Sequence, residues 1–365
     1  MAQAPDAPAP ASVSPSASPA AESVSAPAPA LAPARSDHAA HSATARAHTN
    51  IALVKYWGKK DAALRLPFTS SISMTLDHFY AQTTFELLPA AVSSEFILDG
   101  ALVPADSRNA RRVMEYVALL QARYGISGNF RIVSHNHVPM SAGLASSSSA
   151  FSALAAAFSA AYELNVSREE LSRMARLGSG SACRSVYGGF VKWEKGHDDE
   201  SSKAIALDEH PEIDLKLLAV EINTAQKAVS STLGMHRVVE TSPYYPIWVE
   251  NTERECALME AAIRAGDFTR IGQIAQQSAL DMHALNLTAH PGFTYFQPET
   301  LVAMKMVEEL NSAGVECYFT MDAGPNIKVM ARSGNVEEIA SRFAQALPTV
   351  RIAASSFGPG VEFVK

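Results

Sequence analysis

The chain has 365 residues, 47% of them apolar, and a formal net charge of −7, a composition for a folded globular protein with a full core. No apolar run reaches membrane-spanning length. The acidic balance excludes the broad cationic field of a nucleic-acid binder, so any anionic ligand must be met by a few locally placed cations. Three cysteines, Cys183, Cys256 and Cys317, stand far apart with no CxxC or Cys/His spacing, which fits a reducing compartment and no structural zinc.

Residues 1–43 are nearly all Ala, Pro and Ser. Such a segment buries too little apolar surface to offset the entropy of ordering it, so it reads as a disordered leader, and without a continuous apolar stretch it does not read as a secretory signal. From Thr44 strands and helices mix. Ile51 to Tyr56 is an apolar strand, Ser70 to Leu76 alternates with period two, and Gln82 to Leu87 does so more loosely. Ser107 caps a helix with Val113, Met114, Val117 and Leu120 at helical spacing, closed by Gly125. A strand from Phe130 to Ser134 leads into a loop of small residues. The helix after it carries Phe151, Leu154, Ala155, Phe158 and Tyr162 on one face, and Ser167 with Glu170 forms a capping box for the next.

Gly188 to Trp193 and Leu215 to Ile222 read as two further strands closing a first half. Helices follow near 247–265, 268–282 and 299–312, the last stopped by Gly314. A strand (Val315 to Thr320), a turn (Met321 to Pro325), a strand (Asn326 to Ala331), a helix (Val336 to Leu347) and a last strand (Val361 to Val364) complete an α+β sandwich, helices against one face of an antiparallel sheet. No internal repeat is visible.

Two stretches carry chemistry. Pro139 to Ser149 contains Gly143-Leu144-Ala145-Ser146-Ser147 and opens directly into an apolar helix, aiming free backbone N–H groups and a helix dipole at one point, which suits a phosphate chain. Asn50 to Lys59 ends an apolar run with Lys55-Tyr56-Trp57-Gly58-Lys59, two lysines four residues apart. Together they predict a protein that handles two phosphorylated molecules at once. The histidines, among them His135, His137, His283 and His290, form no metal spacing and read as structural or surface residues, and nothing fixes a metal ligand.

With two further blocks, Gly178-Ser179-Gly180-Ser181-Ala182-Cys183-Arg184-Ser185 and Met321-Asp322-Ala323-Gly324-Pro325-Asn326, the chain from Thr44 onward resembles the diphosphomevalonate decarboxylases of the GHMP kinase superfamily. The small-residue loop is only superfamily-specific; the Lys55–Lys59 and Gly178–Ser185 blocks are far more selective. The resemblance implies an α+β GHMP kinase fold, with a ribosomal-S5-like N-terminal β/α domain over 44–225 and a ferredoxin-like C-terminal sandwich over 226–365. It implies ATP and Mg²⁺ as cofactors, a cytoplasmic homodimer, and ATP-dependent conversion of (R)-5-diphosphomevalonate to isopentenyl diphosphate, ADP, phosphate and CO₂ through phosphorylation of the 3-hydroxyl.

In this family's arrangement Asp322 approaches the 3-hydroxyl, Lys55 keeps that carboxylate ionised and oriented, and Arg184 grips the carboxylate that leaves. Tyr56, Trp57, Gly58 and Lys59 with Ser179, Gly180, Ser181, Ala182 and Cys183 bind the substrate, and Tyr56, Lys59, Ser231 and Thr232 hold its diphosphate. Some relatives carry an arginine where Thr232 stands. Arg108 is a further diphosphate candidate, its alternative being a solvated helix-end arginine. Gly143, Leu144, Ala145, Ser146 and Ser147 bind the ATP phosphates. Two other readings compete: a relative that phosphorylates mevalonate or its 5-phosphate at the 3-position, with or without decarboxylation, and a silent nucleotide-binding module. The second needs a decayed catalytic residue, and none is found.

Overall fold

The structure, a computed structural model, describes residues 41–137, 146–223 and 228–364. The described chain opens with strand β1 (Ser42–Val54), so the expected leader ends two residues early and Ser42 and Ala43 belong to a sheet. β2 (Lys59–Asp61) and β3 (Leu66–Pro67) form a small hairpin. The two strands expected between Ser70 and Leu87 are a single one, β4 (Ser71–Leu88), whose first six residues are all buried and whose remainder alternates. The alternating half faces solvent on one side, and the buried start is covered on both faces, which erases its period.

β5 (Glu95–Leu98) and β6 (Ala101–Leu102), too short for a sequence pattern, precede α1 (Arg108–Tyr124), where Ser107 accepts from Ala110 N at 3.1 Å and Gly125 closes the helix in the left-handed region. β7 (Asn129–His137), α2 (Ser146–Ala161) and α3 (Arg168–Gly178) follow. The Ser167 hydroxyl accepts from Glu170 N at 3.1 Å, while the Glu170 carboxylate turns to Arg123 instead of completing a capping box. Residues Gly180–Val186 wind as a 3₁₀ helix into β8 (Phe190–Trp193) and β9 (Ala204–Asp208). β10 is Lys216–Glu221, then come α4 (Ser231–Thr241), α5 (Tyr245–Ala265), α6 (Phe268–Thr288) and α7 (Pro298–Ser312). β11 (Cys317–Met321), β12 (Ile327–Ala331), α8 (Val336–Ala346), β13 (Arg351–Ser355) and β14 (Glu362–Val364) end the chain.

An eight-stranded sheet runs β14-β1-β4-β7-β5-β6, with β8 attached to β4 and β9 to β8. All its pairings are antiparallel except β5 with β7. The apolar helix α2 packs on β1 and β4, over a core that includes Phe85, Phe130, Phe151, Phe158 and Trp193. A second sheet runs β11-β12-β10-β13, wholly antiparallel. The expectation that the strand at 215–222 closes the first half is therefore corrected: β10 pairs with β12 and β13, while the last strand, β14, returns to β1. A backbone of nearly continuous apolar residues fits either sheet, and only long-range partners decide between them.

Helix α6 packs on both β1 and β11 and so joins the two sheets. This contact brings the end of β1, the 3₁₀ segment and the β11–β12 turn to one place.

Candidate active site

Lys55 follows β1 directly and is 1% exposed. Its Nζ donates to Ala52 O at 2.7 Å and to Asp322 Oδ1 at 2.9 Å, and its backbone N–H donates to Ser278 Oγ of α6 at 3.2 Å. Asp322 opens the turn between β11 and β12. Gly324 N donates to Asp322 O at 2.8 Å, and Asn326 Oδ1 accepts from Ile222 N and Asn223 N at 2.8 and 2.9 Å, pinning the turn to the chain after β10. A turn tied at both ends holds its carboxylate rigidly.

The second carboxylate oxygen of Asp322 lies 3.2 Å from Nζ of Lys328 on β12. Both lysine side chains are 2% exposed and that of Asp322 is 25% exposed, so the carboxylate faces a cleft with the two ammonium groups sealed behind it. Burial by itself pushes the Asp322 carboxyl up, but the Lys55 and Lys328 charges outweigh it and hold the group well below the usual carboxylate range. Burial pulls Lys55 down to about 8 against the raising pull of Asp322, and Lys328 and Arg184 add to the lowering. Lys328 escaped the sequence reading, although a lysine inside the wholly buried run Ile327–Ala331 is itself a signal.

Arg184 is 2% exposed. Its Nε donates to Asn50 Oδ1 at 3.2 Å and its Nη1 to Ser71 Oγ at 2.6 Å. Asn50 in turn donates from Nδ2 to Ser185 Oγ at 2.8 Å and Ser181 O at 3.0 Å, so one amide clamps the 3₁₀ segment and orients the guanidinium. The charge of Asp322 reaches Arg184 and partly offsets the lowering of its proton affinity by burial. Sequence reasoning did not single out Asn50 and Ser71 as supports of Arg184, because that support exists only through these partners.

Beyond the cleft stand cations without acids. Burial first, then the charges of Arg65 (between β2 and β3) and Arg112 (on α1), lower the proton affinity of Lys59 on β2, and burial, then Arg65 and Arg108, lower that of Arg112. Among the described residues none of these, nor Arg108, has a carboxylate partner. Arg112 Nη2 donates to Gly178 O at 3.0 Å and its guanidinium lies 4.6 Å over the Phe151 ring. Arg108 is exposed at the first residue of α1, and its charge reaches Arg112. Tyr56 lies edge-on to Trp193, ring centroids 4.7 Å apart, and its buried hydroxyl has no partner among the described residues. A Cβ on Gly180 would come within 2.9 Å of that hydroxyl, so only glycine lets the 3₁₀ segment approach it.

Ser231 and Thr232 form the first turn of α4, whose cap Ser230 accepts from Leu233 N at 3.3 Å. α4 packs against β2, with Val239 beside Gly58. Ser147 at the start of α2 lies 3.3 Å from Ser179, hydroxyl to hydroxyl, and Ser181 is half-buried beside it in sequence. Gly143, Leu144 and Ala145 lie outside the described residues, as does the side chain of Ser146.

Three of the expected substrate-binding residues have side chains buried in the core. Trp57 is 3% exposed, donates from Nε1 to Asn286 Oδ1 at 3.0 Å and belongs to a core with Tyr245, Trp248 and Tyr295. Ala182 and Cys183 point into the core under α2, where the Cys183 thiol donates to Gly180 O at 3.0 Å. These residues shape the walls. His283 of α6 stacks on Phe296, ring centroids 4.7 Å apart, and burial, then Lys55, lowers it to about 3, so the ring is neutral.

Among the described residues no group of His, Cys, Asp and Glu could hold a metal ion, and no helix is long and apolar enough to cross a membrane.

Comparison with known proteins gives a consistent result. A family model of the diphosphomevalonate decarboxylase-like N-terminal domain matches residues 47–204, and one of the mevalonate 5-diphosphate decarboxylase C-terminal domain matches 217–359. The chain is 35% identical over 340 residues to a diphosphomevalonate decarboxylase of Ganoderma lucidum, covering 87% of this chain and 85% of that one. It is 36% identical over 356 residues to one from Gibberella zeae, covering 90% and 91%. Among solved structures, mevalonate diphosphate decarboxylase from Staphylococcus aureus superposes with a TM-score of 0.85 at 42% identity, over 89% of this chain and 98% of that chain. A structure of MDDEF in complex with MVAPP, AMPPCP and magnesium gives 0.85 and 42%, over 90% and 100%.

Proposed function

The chain belongs to the diphosphomevalonate decarboxylase family, and we propose that its Asp322 cleft is where that family's reaction takes place. The reaction is the ATP-dependent decarboxylation of 5-diphosphomevalonate to isopentenyl diphosphate, a step of the mevalonate pathway. The observation that carries the assignment to this cleft is the ion pair between Lys55 and Asp322 at 2.9 Å, on the same side of the molecule as the buried guanidinium of Arg184.

The chemical difficulty is that a tertiary hydroxyl leaves poorly and the neighbouring carboxylate has no electron sink. In-line attack of the 3-hydroxyl oxygen on the γ-phosphorus, with ADP departing, makes the oxygen a phosphate. Loss of that phosphate develops positive charge at the tertiary carbon. The bond to the carboxylate then breaks, its electron pair becomes the new double bond, and CO₂ leaves. Asp322 accepts the hydrogen bond of the 3-hydroxyl and aligns it. Because two ammonium groups weaken this carboxylate as a base, it takes the proton only when bonding to phosphorus has made the hydroxyl acidic, which suits a loose phosphoryl-transfer transition state.

Arg184, already anchored through Nε and Nη1, presents its remaining donor face to the substrate carboxylate. Lys59, Arg65, Arg108 and Arg112, with Tyr56, Ser179, Ser181 and the first turn of α4 at Ser231 and Thr232, receive the 5-diphosphate. Cations lacking acidic partners repel one another, and a bound polyanion relieves that repulsion. Ser147 and the residues Gly143 to Ser146 take the ATP phosphates.

ATP comes with Mg²⁺, which keeps most of its water and binds through phosphate oxygens with one or two protein oxygens. That donor requirement fits hydroxyl-rich residues such as Ser147 and Ser179, and does not ask for the carboxylate cluster that the described residues lack. When bound, the ion neutralises charge on the transferring phosphoryl group. The reading extends to a cytoplasmic homodimer, as the family resemblance implies; the three unpaired, buried cysteines are compatible with a reducing compartment.

The test is a discontinuous assay of the purified protein with ATP and Mg²⁺, offering mevalonate, its 5-phosphate and its 5-diphosphate separately. CO₂ and isopentenyl diphosphate from the 5-diphosphate are expected. ADP release without CO₂ would make the protein a 3-kinase, and turnover of the 5-phosphate in preference would overturn the diphosphate assignment.

A further inference from the structure

One lysine is enough to orient a carboxylate, yet Asp322 has two, one on each oxygen, at 2.9 and 3.2 Å. The second is a costly residue. Lys328 sits in the middle of a strand every residue of which is buried, and it is 1% exposed. Around Asp322 the charged and titratable groups are Lys55 after β1, Lys328 on β12, Arg184 in the 3₁₀ segment and the neutral His283 on α6. Among the described residues, three cations thus lie near this carboxylate. Pairing between Asp322 and Lys55 alone would leave the site closer to neutral, and a residue of Lys328's volume without its charge would fill the strand position at lower desolvation cost. Such an excess fits a role in chemistry better than one in stability.

Resting on the decarboxylase reading above, we propose that Lys328 is a positioning residue that acts through its two neighbours. Its ammonium fixes the second, buried oxygen of Asp322, so the carboxylate cannot rotate away from the substrate hydroxyl, and its charge helps set the pH at which Lys55 releases its proton. The geometry leaves Lys55 little choice. The acid it pairs with carries a second ammonium on its other oxygen. The charge of that ammonium lowers the proton affinity of Lys55.

The experiment follows the Lys55 ammonium directly, by the ¹³Cε resonances of labelled lysines assigned with Lys55→Arg and Lys328→Arg variants, in the substrate-free full-length protein. In Lys328→Met the Lys55 titration is expected to move upward by at least about one pH unit, and in Lys328→Arg, which restores the charge, to return to within about 0.3 of the wild type. In parallel kcat of Lys328→Met is expected to fall about 10- to 100-fold with KM for ATP changed less than about threefold. A Lys55 titration unmoved in Lys328→Met would overturn the proposal. So would an unmoved kcat.

Because surplus positive charge is removed, Lys328→Met is expected to fold at least as well as the wild type. Should it fail to, Lys328→Gln serves the same comparison. The resonance measurement needs no substrate, so it stands or falls separately from the decarboxylase assignment, which the CO₂ assay on the wild type decides.

Discussion

Replacing Asp322 by Asn keeps the shape of the side chain and removes the one negative charge between Lys55 and Lys328. Taken at about 3 Å and an effective dielectric of about 20, each pair is an attraction of roughly 5 kcal/mol before desolvation is subtracted. Losses on removing one partner of a buried pair run to about 3–5 kcal/mol, because the other charge is stranded. Here the stranded group has an escape. Lys55 is already pulled down to about 8, and without the raising influence of the acid it falls further and sheds its proton near neutrality.

The sign of the pH dependence follows. A lysine whose folded pKa lies below its unfolded value binds fewer protons folded than unfolded, so stability rises with pH through that window. In the wild type the Lys55 window runs from about 8 to the ordinary 10.5; in Asp322→Asn it opens lower. Asp322, depressed below 3.8, contributes its stability above that value and loses it on acidification. The variant's deficit is therefore largest near pH 6 and shrinks toward pH 9, as read by urea midpoints at each pH. In activity, losing the group that aligns the 3-hydroxyl costs about 10²–10⁴ in kcat. Titration calorimetry is expected to show ATP affinity within about threefold of the wild type. A kcat within about tenfold of wild type, or loss of ATP binding in step with turnover, would refute the role given to this carboxylate.

Arg184→Lys keeps a charge but loses the planar fork that reaches Asn50 and Ser71 while facing the cleft; a drop of about 10- to 100-fold in kcat/KM for the 5-diphosphate is expected, and a change under about twofold would show that the guanidinium geometry is irrelevant. Gly58 has φ +138°, and a Cβ there would sit 1.8 Å from the Tyr245 hydroxyl that donates to Trp57 O at 3.0 Å. Gly58→Ala is thus expected to destabilise by about 2–4 kcal/mol in chemical denaturation, whereas an unchanged midpoint would mean that the segment from Lys55 to Lys59 is not fixed by this contact. Cys183 is pushed up to about 12 by burial and is bonded to Gly180 O, so in the native protein it should resist thiol reagents that label it readily after unfolding; fast native labelling would contradict a rigid wall at 178–185.

Much of the fold was legible where a local signal is unambiguous. Ser107 and Gly125 bound α1 as their cap chemistry requires, and the stretches beginning at Phe268 and Val336 are helices. What failed was pairing. β10 carries the same apolar run whichever sheet it enters, and β4 lost its alternation where it is covered on both sides. These outcomes depend on which strand arrives alongside, information that is spread over residues as distant as Leu217 and Ser355. α4 was missed because it starts with Ser-Thr-Leu-Gly, a poor helical opening that its cap Ser230 and the packing of Gly234 on Trp57 compensate.

At the site, motif residues were readable and their supporting residues were not, for a physical reason. Lys55, Asp322 and Arg184 each sit in a stretch whose composition is odd for its place: a lysine ending an apolar strand, a carboxylate in a tight turn, an arginine after small residues. Asn50, Ser71 and Lys328 are odd only in relation to others. Asn50 matters because it joins Arg184 to Ser181 and Ser185, and Lys328 because strand β12 lies antiparallel to β11 and so returns the chain past Asp322 six residues later. A two-stranded turn necessarily places residues from its two arms together, so a charged residue on one arm needs a partner on the other or an open cleft beside it. Here Asp322 has both, and the excess of ammonium over carboxylate behind that cleft is what makes its open face ready for a polyanion.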